Sequence, residues 1–307
     1  MVIVSASYKT DIPAFYGDWL LKRLSEGSCG VRNAYGGPAR LVRLDRSSVE
    51  GFVFWTKNVE PFRDGLAEVA RRGYPFVVQY TITGYGRTLE SRVPEAGRMA
   101  DAVKRLADAY GPRAVVWRYD PILISSQTPV SFHVDQFGCL AARLQGACDE
   151  AVTSFTHFYR KTERNLAKLA AGTNLTWEDP ADETKRDTFL ILARIARENA
   201  MRLTLCAQPA FAGEALPAAR CIDADRLSDV AGAPIEVAER GNRPGCACHA
   251  SVDIGDYDTC PHGCVYCYAV GSRTTAQRRH RAHDAAREFL GPSTTAPLPP
   301  GTKIKQV

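Results

Sequence analysis

The sequence predicts an α/β protein built as a full or partial (β/α) barrel of the TIM type. Three observations predict it. Short apolar runs alternate with longer amphipathic stretches about seven times, the pattern of a parallel sheet with helical crossovers. The chain has 307 residues, a length that an α/β barrel uses for one core. Polar and ionisable residues follow the apolar runs, at the strand ends where barrel chemistry sits.

Taken in order, residues 2–7 form a short strand and 14–25 a helix. GFVFWTK, residues 51–57, is a buried strand, followed by a helix over 59–72. PFVVQYTIT, residues 75–83, is the third strand. Residues 94–110 form an amphipathic helix with Met99, Val103, Leu106 and Tyr110 on one face. AVVWRYDPIL, residues 114–123, is a strand, and 132–144 is helical. A strand over 151–157, a helix over 183–199 and a strand over 202–207 follow. Residues 252–258 read as a last strand entering a cysteine loop, and 273–289 as a final helix. Residues 1–290 make one domain, with a cysteine-rich region over 206–269. The tail over 291–307, rich in Pro and Thr, is expected to be disordered.

The strand ends carry Lys9 and Asp11, then Thr56, Lys57 and Asn58, then Tyr80, Thr81 and Tyr85. Arg118 and Asp120 follow, on one face by strand alternation, placed to grip a ligand or each other. Lys57 is placed to pair with a ligand carboxylate, or with Asp11 or Asp120. His157 and Tyr159 are placed to deliver a proton or a hydrogen atom. Together these residues predict a deep polar pocket.

Composition excludes several classes. No run of about 18 apolar residues exists, so no membrane span is expected. The first residues lack a basic segment and a cleavage site, and a cytoplasmic location is expected. There is no P-loop and no dinucleotide-binding glycine fingerprint. Net charge is +5, with basic residues concentrated over 273–287, including Arg278, Arg279 and Arg281. That stretch reads as a solvated helix face or as a nucleic-acid surface, and it lacks the interleaved aromatics of a base-stacking platform.

Seven of the ten cysteines lie from Cys206 to Cys267. Cys260, Cys264 and Cys267 stand at C-x3-C-x2-C spacing. Soft thiolates at this spacing can hold three irons of a 4Fe–4S cube and leave the fourth open to a ligand. Pro261 and Gly263 let the loop turn around a metal, and Tyr266 is placed to lie along a flat ligand. Zinc is the other metal that fits, with His262 or a distant residue completing a tetrahedron. Cys206, Cys221, Cys246 and Cys248 number four, the count for a second cube. His249 and His262 are placed to bond cluster sulfur. Cys139 reads as core, and Cys29 as a turn residue open to solvent.

Cys260, Cys264, Tyr266 and Cys267 resemble the C-x3-C-x-aromatic-C motif of the radical S-adenosylmethionine (SAM) superfamily. The resemblance implies a 4Fe–4S cluster whose open iron binds SAM. It implies cleavage of SAM to a 5′-deoxyadenosyl radical, which takes hydrogen from a small polar substrate, and an electron donor such as flavodoxin or ferredoxin. From their places at the strand ends and in the loop, Tyr266, Thr56 and Asn58 are expected to contact the cofactor, and Lys57, Arg118, Asp120 and Tyr159 to serve the reaction. Auxiliary clusters in that superfamily relay electrons or give up sulfur, which suggests the same for the four further cysteines. In the superfamily the motif follows the first barrel strand, whereas here it follows the last, so the arrangement is permuted. Lys9-Thr10-Asp11-Ile12-Pro13, Phe54-Trp55-Thr56-Lys57-Asn58, Trp117-Arg118-Tyr119-Asp120-Pro121 and the stretch from Cys246 to Cys260 resemble domain-of-unknown-function family 1848, over residues 5–269. The alternative reading is an iron–sulfur or zinc protein that binds or modifies nucleic acid.

Overall fold

The computed structural model describes residues 1–33, 38–291 and 305–306. Seven strands form one sheet: β1 (Val2–Ala6), β2 (Val49–Thr56), β3 (Phe76–Thr81), β4 (Val115–Ile122), β5 (Glu150–Phe155), β6 (Arg202–Leu205) and β7 (Ser251–Asp253). Their spatial order is β6-β5-β4-β3-β2-β1-β7, and every neighbouring pair is parallel. The sheet winds one way from β1 to β6, and β7 returns to the free side of β1. This is a mixed α/β fold on a parallel sheet. Among the described residues no ladder joins β6 to β7, so the expected closed barrel is not seen. The free edge of β6 is met instead by a bridge from Leu205 to Ala218, in an irregular connection that occupies most of residues 206–250.

Nine α-helices lie among the described residues: α1 (Ile12–Phe15), α2 (Gly17–Glu26), α3 (Arg63–Arg71), α4 (Ala96–Tyr110), α5 (Val130–Leu144), α6 (Arg160–Ala170), α7 (Asp182–Glu198), α8 (Ala224–Ala231) and α9 (Arg273–Arg281). The helix expected over 14–25 is two helices. Asp11 caps the first by accepting from the Ala14 N–H, and the chain leaves helical geometry at Tyr16. The final helix stops at Arg281, eight residues short of 289. The strand expected over 252–258 ends at Asp253, whose carboxylate accepts from the Gly255 N–H and closes a turn. Helix α6 was not anticipated. Nearly half of its stretch is charged, and only Thr162 and Leu166 are buried, too few to mark a period. The ladder between Ser28–Val31 and Arg40–Arg43 was also missed, and it reverses one expectation: Cys29 is fully buried. Cys139, expected in the core, is exposed.

Strand alternation divides the sheet into two faces. One packs under the helices through Val4, Phe52, Phe54, Val78, Trp117 and Tyr119. Trp117 is fully buried, stacks on Phe137 at 4.6 Å and donates from Nε1 to Ile82 O at 3.0 Å. Its truncation to Ala costs about 3–5 kcal/mol by the usual scale. The other face begins with Ile3, Val53, Val77, Val116 and Val152, packed on Ala219, Ile222 and Leu227. Two residues further along each strand that face becomes Ser5, Trp55, Gln79, Arg118 and Ser154. An aliphatic floor thus gives way to a polar ceiling at the C-terminal strand ends.

Among the described residues no helix is long and apolar enough to cross a membrane. The expected disordered tail lies outside the described residues, apart from Gly291 and the backbone of Lys305–Gln306, which pairs with Arg40 and Leu41.

Candidate active site

A cavity of about 1090 Å³ opens at the C-terminal ends of the strands. All seven cysteines from Cys206 to Cys267 line it, in two groups, together with Thr56, Lys57, Arg118, Asp120, Tyr159 and Tyr266. Asn58 does not line it. Its backbone N–H donates to Thr56 Oγ1 at 2.8 Å, and its side-chain oxygen accepts from the Glu60 N–H at 3.3 Å, so it starts the helical turn after β2.

The loop with Cys260, Cys264 and Cys267 is tied down at many points. Tyr16 donates to Thr259 O at 2.6 Å, and Thr162 to Tyr266 O at 3.2 Å. The N–H of Arg92 donates to His262 O and that of Val265 to Leu89 O, both at 3.0 Å. These bonds fasten the loop to α1, α6 and the segment after β3. The three cysteines are half-buried. Backbone N–H groups of His262 and Asp11 face the Cys260 sulfur, and those of Ala269 and Val270 face Cys267. Burial pushes all three thiols above the ordinary cysteine range. Such thiols hold their protons in the metal-free chain and release them to a metal ion.

Glu90 organises the wall beside this loop, and the sequence reading stopped short of it. It accepts from Lys57 Nζ at 2.8 Å, from Thr83 at 2.8 Å and from the Tyr266 hydroxyl. Lys57 therefore pairs with Glu90, not with the expected Asp11 or Asp120; Asp11 takes only its backbone N–H, at 2.7 Å. Burial opposes the charge on Lys57, but Glu90 and Cys264 outweigh burial and raise its pKa. The Tyr266 ring meets Tyr85 edge-on at 5.7 Å and lines the cavity. His262 donates from Nε2 to Asp11 at 2.8 Å, while His249 accepts the Ala224 N–H on Nδ1 at 3.1 Å. His262 Nδ1 is buried and without a partner among the described residues.

The second group comes from three segments. Cys206 follows β6, Cys221 precedes α8, and Cys246 and Cys248 precede β7. The sulfurs of Cys206 and Cys221 are 3.6 Å apart. Cys221 also meets Cys248, and Cys248 meets Cys246. Contact with Cys248 brings Cys246 down to about 6. Arg118, almost fully buried, donates to Asp120 at 2.6 Å, to Gln79 Oε1 at 3.2 Å and to the Cys221 sulfur at 3.0 Å. Asp120 also accepts from Ser154. The expected Arg118–Asp120 pair is therefore present, with a sulfur on its far side. Arg243, which the sequence reading passed over, donates to Cys206 Sγ at 3.5 Å and to Tyr159 at 3.2 Å. Tyr159 is half-exposed at the cavity mouth, 6.1 Å from the ring of Tyr268.

Among the described residues no group of three or more His, Cys, Asp or Glu is gathered so as to hold a metal ion. A mononuclear zinc site draws four ligands round one point, at about 2.3 Å for sulfur. The cysteines of a cube each bind a different iron and stand further apart.

Comparison with curated proteins gave no match. Residues 3–269 match the family described as Domain of unknown function (DUF1848). That span holds both cysteine groups and the seven-stranded sheet apart from Val2, and the chain belongs to this family.

Proposed function

We propose that this chain is a radical SAM enzyme acting on a small polar substrate. The observation that carries the reading is the placement of Cys260, Cys264 and Cys267. They sit at C-x3-C-x2-C spacing, on a loop fixed by backbone bonds, in the wall of a large cavity at the C-terminal edge of a parallel sheet. The permuted arrangement also has support, because β7, which leads into the loop, lies beside β1.

The residues suit a 4Fe–4S cluster. Three half-buried thiols open onto one cavity, backbone N–H groups face two of them, and the loop adds no protein carboxylate as a fourth ligand. When bound, the cluster supplies the electron that cleaves SAM to methionine and a 5′-deoxyadenosyl radical. The chain's own residues do the rest. Lys9, Lys161 and Arg279 place positive charge in the cavity wall, suited to the SAM carboxylate and to an anionic substrate. Glu90 holds Lys57 and Tyr266 rigid beside Cys264. Thr56 is fixed by its bond to the Asn58 N–H and bounds the cavity. Arg118 and Asp120 hold each other in place, and Tyr159 stands where substrate enters. A one-electron carrier such as flavodoxin or ferredoxin is the donor.

The nucleic-acid reading has less support. Arg279 of the basic helix α9 turns inward, donating to Tyr257 O at 2.9 Å and lining the cavity.

The test is product formation. Protein reconstituted without oxygen, given SAM and dithionite, should release 5′-deoxyadenosine, detected by chromatography. Cys264→Ala should abolish the product. A protein that carries about four irons at this loop and releases none would overturn the reading.

A further inference from the structure

We infer that Cys206, Cys221, Cys246 and Cys248 form a second iron–sulfur site, whose negative charge is matched by Arg118 and Arg243. The inference stands independently of SAM chemistry.

It rests on what the two arginines face. The Arg118 side chain is 4% exposed and donates at 3.0 Å to the Cys221 sulfur. Asp120 and Gln79 accept from the same guanidinium, and a neutral thiol is only a weak further acceptor. A thiolate is a strong partner, and charge-assisted bonds are roughly twice as strong as neutral ones. Arg243 repeats the arrangement at the neighbouring sulfur, Cys206. Among the described residues Arg243 has no carboxylate at ion-pair distance, so one half-buried positive charge faces the sulfurs unmatched. Asp120 is engaged by Arg118 and Ser154. The charge that answers Arg243 is therefore best supplied by the sulfurs themselves, held as thiolates by a metal.

The four sulfurs run in sequence, Cys206 to Cys221 to Cys248 to Cys246, with Cys206 and Cys221 3.6 Å apart. A cube gives each of four cysteines its own iron and needs these sulfurs to draw apart as it assembles, whereas zinc takes all four in its own sphere. The site is also accessible for assembly, since all four cysteines line the cavity.

The test removes the other group first. Cys260→Ala/Cys264→Ala/Cys267→Ala protein, incubated without oxygen with ferrous iron and sulfide, should hold about four irons per chain. It should show the broad visible absorption of a cluster that bleaches on reduction. Adding Cys221→Ala and Cys248→Ala should remove both. Zinc, a Cys206–Cys221 disulfide or no metal in the triple variant would overturn the site. The arginines are tested by potential. In the triple variant, Arg243→Gln should lower the reduction potential, because a positive charge that favours the reduced cluster is lost. Arg118→Lys keeps the charge but loses the directed bond, and should lower it less. An unchanged potential with Arg243→Gln would overturn the assignment of the arginines. If the chain fails to cleave SAM while the triple variant still holds iron, the enzyme reading falls and this site stands.

Discussion

The two cysteine walls of the cavity are built in opposite ways. Cys260, Cys264 and Cys267 come from one loop, and their geometry is set by bonds to that loop's own backbone. Cys206, Cys221, Cys246 and Cys248 come from three segments and meet only because β6, α8 and β7 converge. The charges differ as well. Lys57, beside the first wall, is paired with Glu90, whereas Arg243, beside the second, has Cys206 and the Tyr159 hydroxyl as its bonded partners. On the proposed reading, the local wall would leave one iron for an incoming ligand, and the assembled wall would hold a fully ligated centre.

The largest separation between the walls should come from their buried ion pairs. Glu90→Gln strands the Lys57 ammonium and loosens Tyr266. Breaking a buried pair from one side costs about 3–5 kcal/mol, readable by urea denaturation. Iron at the Cys260 loop should fall, and iron at the other wall should hold. Arg226→Met is the mirror experiment. Arg226 is 2% exposed, bonds Asp149 at 2.8 Å and Glu150 at 2.6 Å, and anchors α8 beside Cys221 and Cys248. A similar cost of about 3–5 kcal/mol should appear, with iron lost from the second wall instead. Crossed losses would break the comparison.

One source of acid sensitivity should lie away from both walls. His133 on α5 donates from Nε2 to Leu123 O at 3.1 Å and accepts from Tyr119 on Nδ1 at 3.0 Å. Burial lowers its pKa from 6.5 to about 4. The unfolded chain then binds the proton first. Stability is fully present above pH 6.5 and falls as pH drops toward 4, by about 3 kcal/mol at most. Metal-free protein should show this loss in pH-dependent denaturation. His133→Gln should flatten it, and alanine variants of either cysteine group should leave it unchanged.

The smallest effects should come from two glycines, one for each wall. Gly263 has a φ of +76°, and a Cβ there would lie 2.4 Å from Ser91 Oγ. Gly263→Ala should cost about 1–3 kcal/mol and weaken iron retention at the Cys260 loop against a chelator. A Cβ on Gly241 would lie 2.2 Å from the Cys246 carbonyl oxygen, so Gly241→Ala should weaken retention at the other wall only.

The same contrast explains what the sequence made legible. The parallel sheet followed from alternation, because GFVFWTK and AVVWRYDPIL carry β-branched and aromatic residues on both faces. The Cys260 loop was legible because its ligand spacing is local. The four other cysteines were legible only as a number; their adjacency is a product of folding. Glu90 and Arg243 were invisible for the same reason, as each lies in irregular chain and gains meaning only from Lys57 or Cys206. The pairing of Lys57 was misjudged because strand order alone placed Asp11 and Asp120 nearest, while Glu90 reaches it from the loop after β3. Closure of the barrel was overestimated because the connection over 206–250 has the length of a further strand–helix unit but forms an irregular wall of cysteines.

The most direct measurement is the electron paramagnetic resonance spectrum of reduced Cys246→Ala/Cys248→Ala protein, with and without SAM. The account predicts a single cluster signal, from the Cys260 loop, whose g-values shift when SAM is added. A cluster signal indifferent to SAM, or none from protein that holds iron at that loop, would contradict it.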